Sequence, residues 1–385
     1  MQLFNDILTH YSWQGLSLML LIVILFGIQL YYYAVAYYRI NTYRLTRKLQ
    51  KRAENPPVSI VVPVRGENEY FLSVGLPVLL SQQYHTFEVV VVYIGDDNDY
   101  YDELQRIRDN YSYMRLTKMG GNGPFYITTK QALNVGIKSA QYHSLLFTTP
   151  GAIPATEQWV ATMAKGFERG TVVIAPAVPK FESDTLKTYL MRLVEFQLLR
   201  NAMAAAVVGK PYYAPRSNFG FDRRLYERTR GYNHLNLDNG ENDLYLQEIA
   251  SNKRNAVVMS RHSVVTEERI DDIREWTKIM RYNASTQHYY PTRVKVFANR
   301  ELGSRALFFV ASLAAIVVLP LEVKLGAIGL IIARYIVVVW STHRTARRIG
   351  EHNIALRYWI YDLVGPALEW ALWSKKEHNT QRIWR

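Results

Sequence analysis

The stretch PPVSIVVPVRGENEYFLSVGLPVLLSQQYHTFEVVVVYIGDD, residues 56–97, decides how the rest of the chain is read. VSIVVPV is a continuous apolar run of strand length, and FEVVVVYIG is a second. Between them a helical pattern runs from Tyr70 to Gln83. Strands that are apolar throughout, rather than alternating, are buried on both faces, as in a sheet covered by helices. Downstream the pattern repeats, with helices expected over Asp102–Tyr111 and Thr129–Ser139 and a strand over SLLFTT from Ser144. This alternation predicts right-handed βαβ units, a parallel sheet and the α/β class. Ligands of such sheets bind beyond the carboxyl ends of the strands, so candidate chemistry is sought there.

The flanks are of a different kind. From Gly15 to Tyr38 the sequence GLSLMLLIVILFGIQLYYYAVAYY carries no charge. A run of that length, at about 1.5 Å per residue, crosses a hydrocarbon core of roughly 30 Å. Only Asp6 is charged before it, whereas Arg39, Arg44, Arg47, Lys48, Lys51 and Arg52 follow it with no acid among them. The positive-inside rule therefore places the N-terminus outside and the chain after Arg39 in the cytoplasm. Basic residues after the apolar run, and aromatics ending it, indicate a retained anchor rather than a cleaved signal peptide.

Ala306–Val323 and Leu325–Trp340 form two further apolar stretches, with Arg305 before them and Arg344, Arg347 and Arg348 after. They read as a membrane hairpin turning near Pro320–Lys324, with both ends cytoplasmic. Arg334, inside the second stretch, marks either a functional site or a cation paired within the bundle. Ile354–Trp373 contains Arg357, Asp362, Gly365, Pro366 and Glu369. It is expected to be an interfacial or re-entrant element broken near Gly365-Pro366, with a fourth spanning helix as the alternative. The expected organisation is an external segment 1–14, an anchor 15–38, a basic linker 39–55, an α/β domain 56–303 with an interface helix near 270–290, a hairpin 304–340 and a basic segment 341–385.

Composition narrows the function classes. The 385 residues include no cysteine, which excludes disulfide scaffolds, Cys-ligated metal and thiol nucleophiles. Lys and Arg number 46 against 33 Asp and Glu, a formal charge of +13. The basic residues cluster beside the apolar segments, where the anionic inner leaflet accounts for them, so no nucleic-acid partner is expected.

The order of elements, with the segments PPVSIVVPVRGE, FEVVVVYIGDDND, KQALNVGIKSA, LLFTTPGAIPATEQW, GKPYYAPRSNFGF, HLNLDNGENDLYLQEIA and VVTEERIDDIREW, resembles the membrane-bound family-2 glycosyltransferases of bacteria. The resemblance implies a GT-A fold, a Rossmann-like sheet carrying a nucleotide-sugar site, with transmembrane helices at both ends. It implies a multi-pass protein of the bacterial inner membrane whose main domain is cytoplasmic.

The same resemblance assigns site positions. The acid expected to hold a nucleobase after the second strand is Ile94 here, with Asp96 and Asp97 following. Asp97 or Asp96 serves equally as a cap of the next helix. The metal-binding Asp-x-Asp expected after SLLFT is replaced by Thr149 and Gly151, so no metal site is expected; Mg²⁺ or Mn²⁺ would enter only if other residues rebuilt it. Glu241 takes the position of the general base, with Asp243 two residues on; both also suit the first turn of a helix. In the interface motif Trp276 persists, but Ile279 and Tyr282 stand where Gln and Arg are expected, with Lys278 and Arg281 nearby. Arg65, Glu67 and Lys130 are further candidates for the nucleotide, and Asn218, Trp276 and Arg281 for the acceptor region.

Two functions follow. One is a degenerate glycosyltransferase that binds or scaffolds in cell-envelope glycan or glycolipid assembly, with membrane lipid, an envelope-assembly protein and a nucleotide sugar as candidate partners. The other is an active, metal-independent transferase using Lys130, Lys118 or Arg216 as charge partners for a diphosphate.

Overall fold

Val58–Arg65 (β1) and Phe87–Ile94 (β2) pair in parallel over their whole length, from Val58 opposite Phe87 to Arg65 opposite Ile94. Met114–Met119 (β3) and Ser144–Phe147 (β4) extend this parallel set on either side. The computed structural model describes residues 13–45, 54–120, 127–232, 237, 239–250, 255–355 and 357–374. Expected features that lie outside these residues are the first part of the external segment, the linker residues Arg47, Lys48, Lys51 and Arg52, and the basic C-terminal tail.

The chain divides into two compact units, one of residues 43–290, 348–351 and 376–385, the other of 1–42, 291–347 and 352–375. In the first, a seven-stranded sheet has the order β3-β2-β1-β4-β8-β6-β9, where β6 is Val172–Ile174, β8 Phe219–Asp222 and β9 Asn255–Val257. β8 runs antiparallel to both β4 and β6, so the sheet is mixed rather than wholly parallel as expected. Ala152–Pro154 (β5), Ala177–Lys180 (β7) and Val265–Glu268 (β10) form a second sheet of order β5-β10-β7.

The helices fall where the sequence pattern places them. Asn98–Asn110 (α1) follows β2, and Thr129–Ser139 (α2) precedes β4. Thr128 and Gln131 form a reciprocal capping box that starts α2. Its close seat on the sheet depends on Gly136, where a Cβ would lie 2.4 Å from Val61 Cγ1. Trp159–Phe167 (α3) and the long Leu186–Val207 (α4) complete the cover, and the main core joins Ile60, Val62 and Val64 of β1 and Val89 and Val91 of β2 to Trp159, Met163 and Phe167.

The second unit is helical. Trp13–Leu30 (α5) continues through a π-helical stretch Tyr31–Ala36 to Tyr38–Thr42. Thr292–Val318 (α6) and Leu321–Ile349 (α7) are separated by only Leu319 and Pro320, at the start of the region where the turn is expected. Among the described residues three helices are long and apolar enough to cross a membrane: Trp13–Thr42, Asn299–Val318 and Leu321–Ile349. Tyr358–Ser374 (α8) runs unbroken through Pro366, against the expected break at Gly365-Pro366. Neighbouring helices in apolar surroundings tolerate such a proline.

Arg334 is paired within this unit. Its guanidinium grips the Asp362 carboxylate and donates to Gln29 Oε1 at 2.7 Å. Arg305, with no exposed surface, lies 3.3 Å from Glu369 and 3.5 Å from Glu301. Ionisable side chains buried among apolar helices pair with one another, as these do.

Candidate functional site

The carboxyl ends of β1 and β2 meet at a rim of charged side chains. Ile94 is the last residue of β2 and is buried against Val92 and Ala132. It packs; it presents nothing polar to a base. Asp97 caps α1, accepting from Tyr100 N at 2.7 Å. That bond, followed by a hydrogen bond shared with Glu67, holds the Asp97 carboxyl below its ordinary range. The same shared bond lifts Glu67 above its own. Lys118 donates to Asn98 Oδ1 at 2.7 Å and lies 4.8 Å from the Tyr101 ring. Arg65 donates to the Ile127 carbonyl, and Lys130 is buried in the first turn of α2. The structure thus unites Glu67 and Asp97; Asp96 remains beside them in the β2–α1 loop.

The tip of β4 is built from neutral groups. Thr148 N donates to Val61 O at 3.2 Å, and Thr149 O accepts from Ala152 N at 3.0 Å. Gly151 O accepts from Glu268 N at 3.3 Å. A Cβ on Gly75 would lie 3.0 Å from Pro150 O, so this loop is packed closely as well as hydrogen-bonded.

Glu241 and Asp243 lie together before the short helix Leu244–Ile249, both almost fully buried. Arg216 Nε approaches Glu241 Oε1 at 2.8 Å. Glu241 Oε2 has no hydrogen-bond partner among the described residues. Burial opposes the charge on Arg216, but Glu241 and then Tyr282 outweigh it and raise its pKa. The Tyr282 ring sits 5.7 Å from the Arg216 guanidinium, so the residue standing where a motif Arg is expected supports a cation from another loop. Asp243 accepts from Leu244 N at 2.6 Å, Tyr290 OH at 2.8 Å and the Thr286 hydroxyl. Burial nevertheless raises its pKa.

Asn218, expected in the acceptor region, lies in the interior of the α/β unit. It is fully buried, accepts from Trp159 Nε1 at 3.0 Å, and donates to the carbonyls of Pro176 and Ser263 at 2.6 and 2.7 Å. Its amide ties α3 to two loops and has little left to offer a ligand. Trp276, in the helix Ile273–Ala284, is buried and donates to Glu195 Oε1 at 2.8 Å. Arg281 is half-buried on the same helix, while Lys278 pairs with Glu275 at 2.7 Å.

Sequence reasoning passed over Glu267, Arg269 and Glu195. Arg269 joins Glu195 at 2.9 Å and also grips Glu267, which accepts from the Ser217 hydroxyl. Burial alone would raise Glu267, yet Arg269, Ser217 and Arg216 hold it below the usual carboxylate range. The signal was present in VVTEERIDD, since the strand period of two puts Glu267 and Arg269 on one face. What the sequence lacked was their partner, Glu195, on a distant helix.

The family model for glycosyl transferase family 21 matches residues 21–385. The chain belongs to glycosyl transferase family 21. The glycosyltransferase reading of the motifs is thus supported, with family 21 in place of the expected family 2. A mannosyltransferase, PcManGT from Pyrobaculum calidifontis, solved in complex with GDP-Man and Mn²⁺, superposes with a TM-score of 0.54 at 16% identity, covering 90% of this chain and 99% of that one. S. aureus TarS 1-349 gives a TM-score of 0.37 at 14% identity, covering 79% of this chain and 91% of that one, a distance at which it adds nothing. The mannosyltransferase supports the GT-A-like fold. No curated protein is significantly similar in sequence.

The Mn²⁺ of that neighbour raises the question of whether this family-21 chain has ligands for one. The β4 tip offers the Thr149 hydroxyl and backbone carbonyls, two of which already accept backbone hydrogen bonds. Among the described residues no group of three His, Cys, Asp or Glu side chains is placed to hold a metal. Divalent Mg²⁺ and Mn²⁺ favour several hard oxygens including carboxylates, so these residues do not fit the ion.

Proposed function

We propose that this family-21 chain is a membrane-anchored, glycosyltransferase-like protein whose GT-A domain binds or scaffolds in cell-envelope glycan or glycolipid assembly rather than transferring sugar. The observation that carries the proposal is the β4 tip, where Thr149 and Gly151 replace charged donors and the Thr149 and Gly151 carbonyls are spent on Ala152 N and Glu268 N. A diphosphate leaving group would meet no carboxylate-bound cation there. Ile94 and the capping role of Asp97 support the same reading, because a nucleobase finds no unengaged acid at the usual place. The proposed placement is the bacterial inner membrane, multi-pass, with the α/β domain in the cytoplasm. Lipid, an envelope-assembly protein and a nucleotide sugar are its proposed partners.

One observation favours the second reading, metal-independent transfer. Among the described residues Glu241 Oε2 has no hydrogen-bond partner, and if an acceptor hydroxyl reached this buried oxygen it would take up the hydroxyl's proton as the hydroxyl oxygen attacks the donor's anomeric carbon. The bond from that carbon to the diphosphate would break as the new one forms, with Arg216, Lys118 or Lys130 countering the charge on the departing diphosphate.

One experiment separates the readings. Purified full-length protein is incubated with UDP- and GDP-sugars in the presence of EDTA and then of Mn²⁺, while nucleotide release and binding are followed. Scaffolding predicts no release under either condition. Release in EDTA would establish metal-independent transfer, and release only with Mn²⁺ would refute the assignment of the β4 tip.

A further inference from the structure

Along the N-terminal helix, Ile24, Gly27 and Ile28 line a groove of about 560 Å³ whose other end is formed by Tyr31, Tyr32 and Arg300. Gly27 leaves its floor open: a Cβ built there would meet nothing within 4 Å. Its polarity has a direction. Arg300 stands at the start of the apolar span Asn299–Val318, while Ile24 lies within the apolar span Trp13–Thr42. From Ile24 to Tyr32 is about 12 Å along a helix. The groove therefore leads from an interfacial cation toward the hydrocarbon, the order in which a lipid presents headgroup and tail.

Charge at the mouth is positive. Arg300 hydrogen-bonds to the Tyr32 hydroxyl. Arg293 and Lys295 precede it on the same helix. The adjacent acid, Glu301, is turned inward: it is 1% exposed, accepts from Tyr33 OH at 3.2 Å and faces Arg305. Tyrosine pairs suit the headgroup level, where one end of the ring is apolar and the other is wet.

We propose that this groove is a binding site for an anionic glycerophospholipid of the surrounding bilayer, its phosphate on Arg300 and one acyl chain along Gly27. Because surrounding tails are as apolar as the groove, tail burial supplies little selectivity. Selectivity resides in the guanidinium–phosphate contact, which is charge-assisted and directional. A single basic residue at the membrane surface gives a preference of about five-fold for an anionic over a zwitterionic lipid.

The test uses the full chain reconstituted in vesicles of equal phosphatidylglycerol and phosphatidylcholine with matched acyl chains, followed by native mass spectrometry of retained lipid. The wild type should retain phosphatidylglycerol about five-fold over phosphatidylcholine. Arg300→Gln should bring the ratio near one, Arg300→Lys should keep most of it, and Gly27→Leu should lower retention of both lipids. Equal retention by the wild type would overturn the proposal without recourse to any variant. So would an undiminished preference in Arg300→Gln, which would assign the charge effect to other basic residues. Displacement of phosphatidylglycerol by inorganic phosphate alone would show a headgroup site without a tail groove, and would overturn it as well.

Discussion

Replacing Glu241 by Gln keeps the side-chain shape and removes its charge, which makes it the sharpest probe of the candidate site. Glu241 Oε1 lies 2.8 Å from Arg216 Nε, and the two side chains are 3% and 27% exposed. At an effective dielectric of about 20, two unit charges at that separation attract by about 6 kcal/mol before desolvation is charged against them. The net loss is smaller, because a charge-assisted hydrogen bond becomes a neutral one, a difference of about 1–2 kcal/mol. Arg216 also leans on Tyr282 and faces Asn242 Oδ1 at 3.4 Å, so it is not left bare. For a domain of this size, about 1–2 kcal/mol lowers the melting temperature by roughly 2–8 °C. Intrinsic tryptophan fluorescence reports the melt, since the chain has eight Trp and no Cys for thiol dyes. The same variant is then placed in a complementation assay of the envelope phenotype below its melting point. Scaffolding predicts near-normal function, whereas loss of a general base costs about 10²–10⁴ in rate. A folded Glu241→Gln protein with function abolished would refute the scaffold proposal. An unchanged melting temperature would refute the Arg216–Glu241 pair as a stabilising contact.

Asp243 should give a pH signature. Burial raises its carboxyl above the ordinary value, so its contribution to stability is fully present below about pH 3.9 and is lost as pH rises through the folded value. Asp243→Asn should therefore melt progressively closer to, or above, the wild type as pH rises from about 4; parallel melting curves across that range would contradict the shift. In the helical unit, Arg334→Leu leaves the buried Asp362 carboxylate with only the more distant Arg305, 3.9 Å away, and should cost up to about 3–5 kcal/mol, read as a fall in melting temperature in detergent. The Arg334→Leu, Asp362→Leu double variant should recover much of that loss, and a double variant no better than the single would show that the pair is not what matters.

Where backbone preference and apolar patterning act locally, the sequence was legible. VSIVVPV and FEVVVVYIG read as strands because their valines and isoleucines leave no polar face, and Thr129–Ser139 reads as a helix that Thr128 starts. The antiparallel strand β8 was not legible, because FGFD is too short to declare a direction and its pairing with β4 and β6 depends on distant residues. The break expected at Gly365-Pro366 reflects a rule for helices in water. The continuous helix found there lies in an apolar unit, where leaving the helix would expose more backbone than the proline forfeits.

The sequence by itself determined the α/β pattern, the apolar helices and the identity of the side chains at each strand end, including Thr149 and Gly151 where acids are expected. Those are properties of residue type and spacing, and no folding can place a carboxylate where none is encoded. Tertiary structure alone decided the partners. Glu241 faces Arg216, Asp243 faces Thr286 and Tyr290, Arg269 faces Glu195, and Arg334 faces Asp362. Asn218, which the chain offers as a ligand contact, is consumed by Trp159 and two carbonyls. The physical reason is that a charged or amide group's role depends on burial and on what neutralises it. For Glu241, Asp243, Arg334 and Asn218 those neighbours lie tens to hundreds of positions away, brought close by the packing of sheet and helices.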